Sequence, residues 1–121
     1  MKKFFAAVTA IISALAGAGC SSPTPVPAEI PDNAILLDVR TQKEFAERHI
    51  PGSLLIPHDQ IAEKAPALLP DKNAPIALFC RSGRRSAIAK GTLESLGYTA
   101  VIDLGAIDNA AKVLNKETIS Q

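Results

Sequence analysis

The chain has 121 residues, with 13 basic and 12 acidic side chains, no tryptophan and one tyrosine. A nearly neutral chain with few aromatic residues does not fit a nucleic-acid-binding protein, which needs a basic face and side chains on which bases can stack. Positive charge is concentrated in one stretch instead, because three of the five arginines lie within five positions of Cys80. The partner that this charge predicts is a small anion.

The first nineteen residues have the organisation of an export signal. Lys2 and Lys3 begin the segment, and a run of apolar or small residues extends from Phe4 to Ala16. This run is shorter than the roughly 20 residues that a transmembrane helix needs. We therefore expect residues 1–19 to be a signal peptide, with the mature protein exported.

Cys20 directly follows a small residue, an arrangement that resembles the lipobox of bacterial lipoproteins. The resemblance implies that Cys20 becomes the lipidated N-terminus, so that the protein is periplasmic or anchored at the outer membrane. The lipid on Cys20 would then be the part of the protein that contacts the membrane. The alternative is ordinary cleavage after Ala18, which leaves Cys20 as a free thiol. Residues 20–33 are rich in proline and serine and are predicted to form an extended tether.

Residues 34–117 alternate between predicted strands and helices, and residues 118–121 remain as a tail. Short apolar runs bounded by turn residues predict strands at 34–39, 53–56, 76–79 and 99–104. Helices are predicted at 42–48, 59–69, 86–96 and 107–114. This alternation is typical of a single α/β domain with a parallel sheet and helices on both of its faces.

Several residues mark the ends or interiors of these helices. Thr41 and Glu44 have the spacing of a capping box, and Gly97 stands where a helix C′ glycine is expected. Pro66 is expected to shorten or break the second helix. Gly91 lies in the middle of the third helix, where glycine is unfavourable, and predicts a close approach of this helix to the sheet.

Cys80 is predicted at the carboxyl end of the third strand, where the reactive loops of parallel sheets lie. Nearby arginines and the start of the next helix would lower the pKa of its thiol. If Cys20 is lipidated, Cys80 has no disulfide partner, and we expect a reactive thiol. No metal site is expected, because His49 and His58 are nine residues apart and match no common ligand spacing with the two cysteines.

Motifs in a fixed order connect this loop with a known family. They are Asp38-Val39-Arg40, Glu44-Phe45, His49-Ile50-Pro51-Gly52, Ile56-Pro57, the Cys80 loop and Gly97-Tyr98. In order and spacing the chain resembles the rhodanese-like single-domain sulfurtransferases, most of all the exported phage-shock protein E type. Residues 80–86 match the family's Cys-Arg-x-Gly-x-Arg-Ser/Thr pattern at each specified position. The resemblance implies a rhodanese-like fold with a short central parallel sheet.

The same resemblance implies a catalytic role for Cys80. The thiolate would take a sulfane sulfur from thiosulfate or a similar small anionic donor, become a persulfide, and pass the sulfur to cyanide or a thiol acceptor. No cofactor or metal is expected, and the protein is predicted to be a monomer. The residues implied in substrate binding are Arg81, Ser82, Gly83, Arg84, Arg85 and Ser86. Asp38, Arg40 and His49 are expected to support neighbouring loops, and Ser86 is either a helix N-cap or a contact to sulfur.

Two other functions occur on the same fold. Phosphatases and arsenate reductases place an arginine six positions after the cysteine, where this chain has Ser86. The loop is therefore one residue too short to enclose phosphate. A module that binds a partner or stores persulfide without turnover is the other alternative. The chain also departs from the family pattern at Arg48 and at residues 104–106, which we expect to affect substrate preference more than fold.

Overall fold

A computed structural model describes residues 30–121, so the predictions for the signal peptide, for Cys20 and for most of the tether lie outside the described residues. Strands and helices alternate along this part of the chain. The strands are β1 (Ile35–Asp38), β2 (Leu54–Leu55), β3 (Ile76–Cys80) and β4 (Val101–Ala106). The helices are α1 (Gln42–Glu47), α2 (Ile61–Leu68), α3 (Arg84–Ser95) and α4 (Ile107–Leu114), with a 3-10 turn at His58–Gln60.

The four strands form one parallel sheet in the order β2-β1-β3-β4. Every residue of β3 is buried, and its side chains alternate between two apolar cores. Leu78 and Cys80 pack in the core that includes α2 and α3, whereas Ala77 and Phe79 pack in the core that includes α4. The predicted α/β fold with helices on both faces is confirmed, and Cys80 lies at the carboxyl end of an internal strand.

A β-bulge lies beside Cys80. Leu78 pairs with Asp103 and Cys80 pairs with Ala106, so β4 has one extra residue over this interval. Gly105 occupies the bulge with φ of +76°, and its N–H donates to Asp103 Oδ1 at 2.8 Å. An ideal Cβ built on Gly83 would lie 3.7 Å from the Cα of Gly105. The bulge therefore supports the loop that follows Cys80.

The local predictions for the helices had mixed outcomes. The capping box of α1 is confirmed, because the Glu44 N–H donates to Thr41 Oγ1 and the Thr41 N–H donates to Glu44 Oε1. Gly97 has the positive φ, +100°, that a C′ glycine adopts. The prediction for Pro66 was wrong, since α2 continues to Leu68. The prediction for Gly91 was also wrong, because this residue is exposed and, apart from its chain neighbours and the backbone of its own helix, no atom lies within 4 Å of its ideal Cβ.

The last residues of the chain lie against α1. His49 and Ile119 form an antiparallel bridge, in which the His49 N–H donates to the Ile119 carbonyl at 2.7 Å and the Ile119 N–H donates in return at 2.8 Å. The Gln121 N–H donates to the Ala46 carbonyl at 3.0 Å. These bonds connect the C-terminus to the helix. Within residues 30–121, no helix combines the length and the apolar character needed to cross a bilayer.

Candidate active site

The backbone of the loop after Cys80 turns back over the thiol. Gly83 has φ of +101°, a left-handed conformation that glycine adopts without steric cost, and it is the N-cap of α3. Its N–H donates to Cys80 Sγ at 2.8 Å. The helix begins at Arg84, two residues earlier than predicted. Ser86 is therefore not the N-cap, and its Oγ donates to the Gly83 carbonyl at 3.0 Å.

The environment of Cys80 favours its thiolate. Cys80 is fully buried, and burial alone would raise the pKa of the thiol. Hydrogen bonds from the N–H and hydroxyl of Ser86, and from the N–H groups of Gly83 and Ser82, outweigh burial and hold the pKa below the ordinary value of 9.0. The Ser86 hydroxyl has one proton, so ionisation of Cys80 favours its rotation from the Gly83 carbonyl towards Sγ. The donors that lower this pKa most, from Ser86, Gly83 and Ser82, are all neutral.

The three arginines of the loop have different surroundings. Arg85 makes a bidentate pair with Glu44, with Nη1 to Oε1 at 2.8 Å and Nη2 to Oε2 at 3.0 Å. The hydrogen bond from Arg85 is the main reason that the pKa of Glu44 falls from 4.5 to about 2. Arg81 and Arg84 are exposed and form no ion pair with any of residues 30–121. Arg81 and Arg84 are therefore available to an incoming anion, whereas Arg85 is held by Glu44.

Asp38 and Arg40 form a buried pair below the loop. Arg40 Nη2 donates to Asp38 Oδ2 at 2.7 Å, and Arg40 Nε donates to both carboxylate oxygens. The same Nη2 also donates to the Arg48 carbonyl at 2.6 Å. The pair connects the end of β1 with the end of α1. Within residues 30–121, the polar contacts of the Asp38–Arg40 pair stabilise this connection, and none of them is made to the Cys80 sulfur.

The contacts of His49 are with α1 and the C-terminal residues, and not with the Cys80 thiol. Its Nδ1 is 2.9 Å from the Phe45 carbonyl, which can only accept, so Nδ1 carries the proton. The imidazole stacks on the Phe45 ring with centroids 4.1 Å apart, and its backbone pairs with Ile119. All of these contacts hold the end of α1 in place.

Comparison with known proteins identifies the family. The sequence model of one protein family, the rhodanese-like domain, matches residues 22–109. The chain belongs to the rhodanese-like family. It is 33% identical over 75 residues to the thiosulfate sulfurtransferase PspE of Escherichia coli, a match that covers 62% of this chain and 72% of that protein. It is also 33% identical over 73 residues to a sulfurtransferase of Allochromatium vinosum, covering 60% of this chain and 66% of the relative.

A solved structure also resembles this rhodanese-like domain. It is a rhodanese with anions from E. coli, with a TM-score of 0.66 and 28% sequence identity. The match covers 73% of this chain and 99% of that one. The family match, the two relatives and the solved structure thus agree on the fold and the family.

Two features of the rhodanese-like domain were not predicted from sequence. One is the bulge at Gly105, for which a glycine near the end of a strand is a weak signal. The other is a cleft of about 180 Å³ at the edge of the Cys80 loop, whose lining includes Glu47. Glu47 follows Glu44 by three positions, so the two carboxylates lie on one side of α1. The cleft itself forms only in the fold, from Arg40, Glu44, Glu47, Arg48 and Arg81.

Proposed function

We propose that this protein is a sulfurtransferase that moves a sulfane sulfur from thiosulfate, or a similar donor, to cyanide or a thiol through a persulfide on Cys80. The observation that carries the proposal is the hydrogen-bonded thiol, with the Gly83 N–H 2.8 Å from Sγ and a lowered pKa for Cys80. A thiolate is the form of cysteine that attacks sulfur.

In the first half-reaction, the Cys80 thiolate attacks the sulfane sulfur of thiosulfate. A new S–S bond forms, the S–S bond of the donor breaks, and sulfite leaves with the electron pair. Total charge is conserved, because a thiolate and a dianion become a persulfide anion and a sulfite dianion. The loop N–H groups stabilise negative charge on the transferred sulfur, as an oxyanion hole stabilises oxygen. Arg81 and Arg84 attract the dianionic donor.

In the second half-reaction, cyanide or a thiolate attacks the outer sulfur of the persulfide. The bond between the two sulfur atoms at Cys80 breaks, and its electron pair returns to Sγ. Thiocyanate or a new persulfide leaves, and the Cys80 thiolate is restored. Each half-reaction balances without an external oxidant or reductant.

Loop length favours sulfur over phosphate as the transferred group. The residue six positions after Cys80 is Ser86, which is buried in the first turn of α3, so no arginine at that position can clamp a tetrahedral oxyanion. The thiol is also fully buried, and one sulfur atom needs less space beside Sγ than a phosphoryl group.

We also propose that the protein is exported, with Cys20 as a lipid anchor in the periplasm or at the outer membrane. Support comes from the sequence of residues 1–20 alone. Mass spectrometry of the mature N-terminus tests this proposal, and we expect a lipid-modified Cys20. An unmodified N-terminal peptide beginning at Gly19 would exclude the lipid anchor.

A thiosulfate:cyanide assay with the full chain tests the activity. We expect wild type to form many thiocyanate ions per protein molecule, Cys80→Ser to form none, and the matched control Cys20→Ser to keep wild-type activity. Circular dichroism checks that all variants are folded. No thiocyanate from wild type, or turnover by Cys80→Ser, would refute the proposal. One thiocyanate per protein would indicate storage of persulfide instead of turnover.

A further inference from the structure

The cleft beside Cys80 lies where two parallel strands end together. β1 and β3 pair in register, with Asp38 opposite Phe79. Arg40 and Arg81 each follow this pair by two residues, just beyond the ends of the two strands, and both line the cleft. Arg81 directly follows Cys80 in the chain. A molecule in this cleft therefore lies at the edge of the loop that follows the thiol.

Most of the charges in the cleft are already neutralised by partners. Three ion pairs account for them: Arg40 with Asp38 at 2.7 Å, Glu44 with Arg85 at 2.8 Å, and Arg48 with Asp108 at 2.9 Å. Arg81 and Glu47 are exposed, and among residues 30–121 neither side chain takes part in an ion pair. The cleft thus offers one unpaired cation and one unpaired anion that do not neutralise each other.

The size of the cleft restricts its ligand to a small molecule. Its volume of about 180 Å³ is below the roughly 300 Å³ at which sites for drug-sized ligands begin. A ligand of amino-acid size fits this space, whereas a donor such as thiosulfate has no cationic group for Glu47. The complementary ligand carries a carboxylate, which a guanidinium binds by two hydrogen bonds, and an ammonium group.

We propose that this cleft binds the sulfur acceptor, and that the acceptor is a small thiol carrying both a carboxylate and an ammonium group. The carboxylate lies at Arg81, the ammonium lies at Glu47, and the thiol faces the sulfur bound to Cys80. Binding there converts sulfur transfer into a reaction between neighbouring groups. The proposal rests on the Cys80 persulfide of the proposed function.

The acceptor thiol loses its proton to solvent, and its thiolate attacks the outer sulfur of the Cys80 persulfide. A new S–S bond forms on the acceptor while the S–S bond at Cys80 breaks. The electron pair of that bond returns to Sγ, and the product is a persulfide of the amino-acid-like thiol.

Discharge of the loaded protein by matched thiols tests the proposal. The full chain is loaded with thiosulfate and separated from excess donor and sulfite, and cyanide is then used to confirm that the persulfide is present. The second-order rate of persulfide loss is measured with cysteine, with cysteamine, which lacks the carboxylate, and with N-acetylcysteine, which lacks the ammonium. Each rate is expressed per concentration of thiolate and divided by the rate of the same thiolate with a small-molecule persulfide, because the three thiols differ in ionisation and in nucleophilicity.

We expect cysteine to react roughly three- to five-fold faster than either analogue, because each analogue lacks one of the two charged groups that bind at exposed side chains. In Glu47→Gln the ratio of the cysteine rate to the N-acetylcysteine rate falls towards one. In Arg81→Gln the ratio of cysteine to cysteamine falls in the same way. Glu63→Gln, an exposed glutamate of α2, is the matched control and keeps both wild-type ratios.

Two kinds of result overturn the proposal and are distinguishable. Equal corrected rates for the three thiols, or wild-type ratios in Glu47→Gln, remove the acceptor subsite and leave the persulfide chemistry intact. A protein that thiosulfate does not load, or that cyanide does not discharge, removes the proposed sulfurtransferase activity and the subsite with it.

Discussion

The cradle around Cys80 and the rim formed by α1 hold their functional groups by different interactions. In the cradle, residues 80–86, neutral donors from the backbone and Ser86 surround a buried sulfur. At the rim, residues 42–47, no residue is buried, and a charged pair between Glu44 and Arg85 joins α1 to the loop. Ionisation of the thiol therefore depends mainly on the neutral donors of the cradle, whereas placement of the Arg85 guanidinium depends on the rim. Substitutions should therefore change ionisation of the thiol and placement of the guanidinium separately.

The largest effect is expected at the buried pair that supports the rim. Arg40→Leu leaves the Asp38 carboxylate buried without its partner, and should lower the free energy of unfolding by about 3–5 kcal/mol. Urea unfolding followed by circular dichroism measures the loss. Asp38→Leu combined with Arg40→Leu removes both charges and should recover much of the stability. A loss below about 1 kcal/mol in Arg40→Leu would mean that the pair does not support the rim.

The pair at the rim predicts a stability that depends on pH. Because the pKa of Glu44 is lowered from 4.5 to about 2, its stabilising contribution is present above about pH 4.5 and is lost as the pH falls towards 2. The contribution is at most roughly 3 kcal/mol. We expect Glu44→Gln to be less stable than wild type at pH 7 and nearly equal to it near pH 2. A difference that does not change with pH would contradict the pairing, and Glu63→Gln is the control.

Release of Arg85 should also change the binding of the donor. In Glu44→Gln the Arg85 guanidinium is no longer fixed at the edge of the loop. The KM for thiosulfate is therefore expected to change, whereas the pKa of Cys80 is expected to stay close to its wild-type value. A matched titration of the thiol in both proteins separates these effects. A large shift in the Cys80 pKa with an unchanged KM would contradict the division between cradle and rim.

A smaller loss is expected from a methyl group in the cradle. Gly83→Ala forces a residue with Cβ into φ of +101°, which should destabilise the protein by about 1–2 kcal/mol. The added Cβ would make only an ordinary contact with Gly105, so the cost is conformational. Gly91→Ala is the matched control in open space, and it should stabilise α3 by up to about 1 kcal/mol. Effects of the same sign in both variants would refute this explanation.

The smallest change in stability, but the most specific one for the thiol, is expected at Ser86. Ser86→Ala removes a hydroxyl that stabilises the thiolate, so the pKa of Cys80 should rise and activity at neutral pH should fall. Ultraviolet absorbance of the thiolate gives the titration. Ser82→Ala keeps the backbone N–H that contributes and should leave the pKa unchanged. A larger shift in Arg85→Gln than in Ser86→Ala would show that the arginine, and not the neutral donors, activates Cys80.

Local patterns in the sequence predicted most of the fold. Thr41 and Glu44 are three residues apart, so their capping box is a local interaction and was confirmed. The apolar run of β3 is bounded by turn residues, and the strand is buried on both faces as the pattern indicates. Order and type of the elements follow from such signals because each depends on neighbouring residues.

The details of the site depended on contacts that are distant in sequence. Arg85 and Glu44 are 41 positions apart, so no local pattern indicates which arginine pairs with this glutamate. Local rules favour Ser86 as a helix N-cap, but the cradle needs the left-handed backbone of Gly83 to direct an N–H at Sγ. β4 was predicted to end at Leu104, whereas the bulge at Gly105 extends it to Ala106. The arginines suggested activation by charge, and the fold assigns the larger part to neutral donors.

The mass of the protein after exposure to thiosulfate tests the persulfide on Cys80 most directly. The full chain is incubated with thiosulfate, freed of excess donor and measured intact without reductant, and then as peptides. We predict an increase equal to one sulfur atom on the peptide that contains Cys80, absent from Cys80→Ser and removed by cyanide. An unmodified Cys80 in the wild-type protein, or sulfur found on Cys20 alone, would contradict the proposed mechanism.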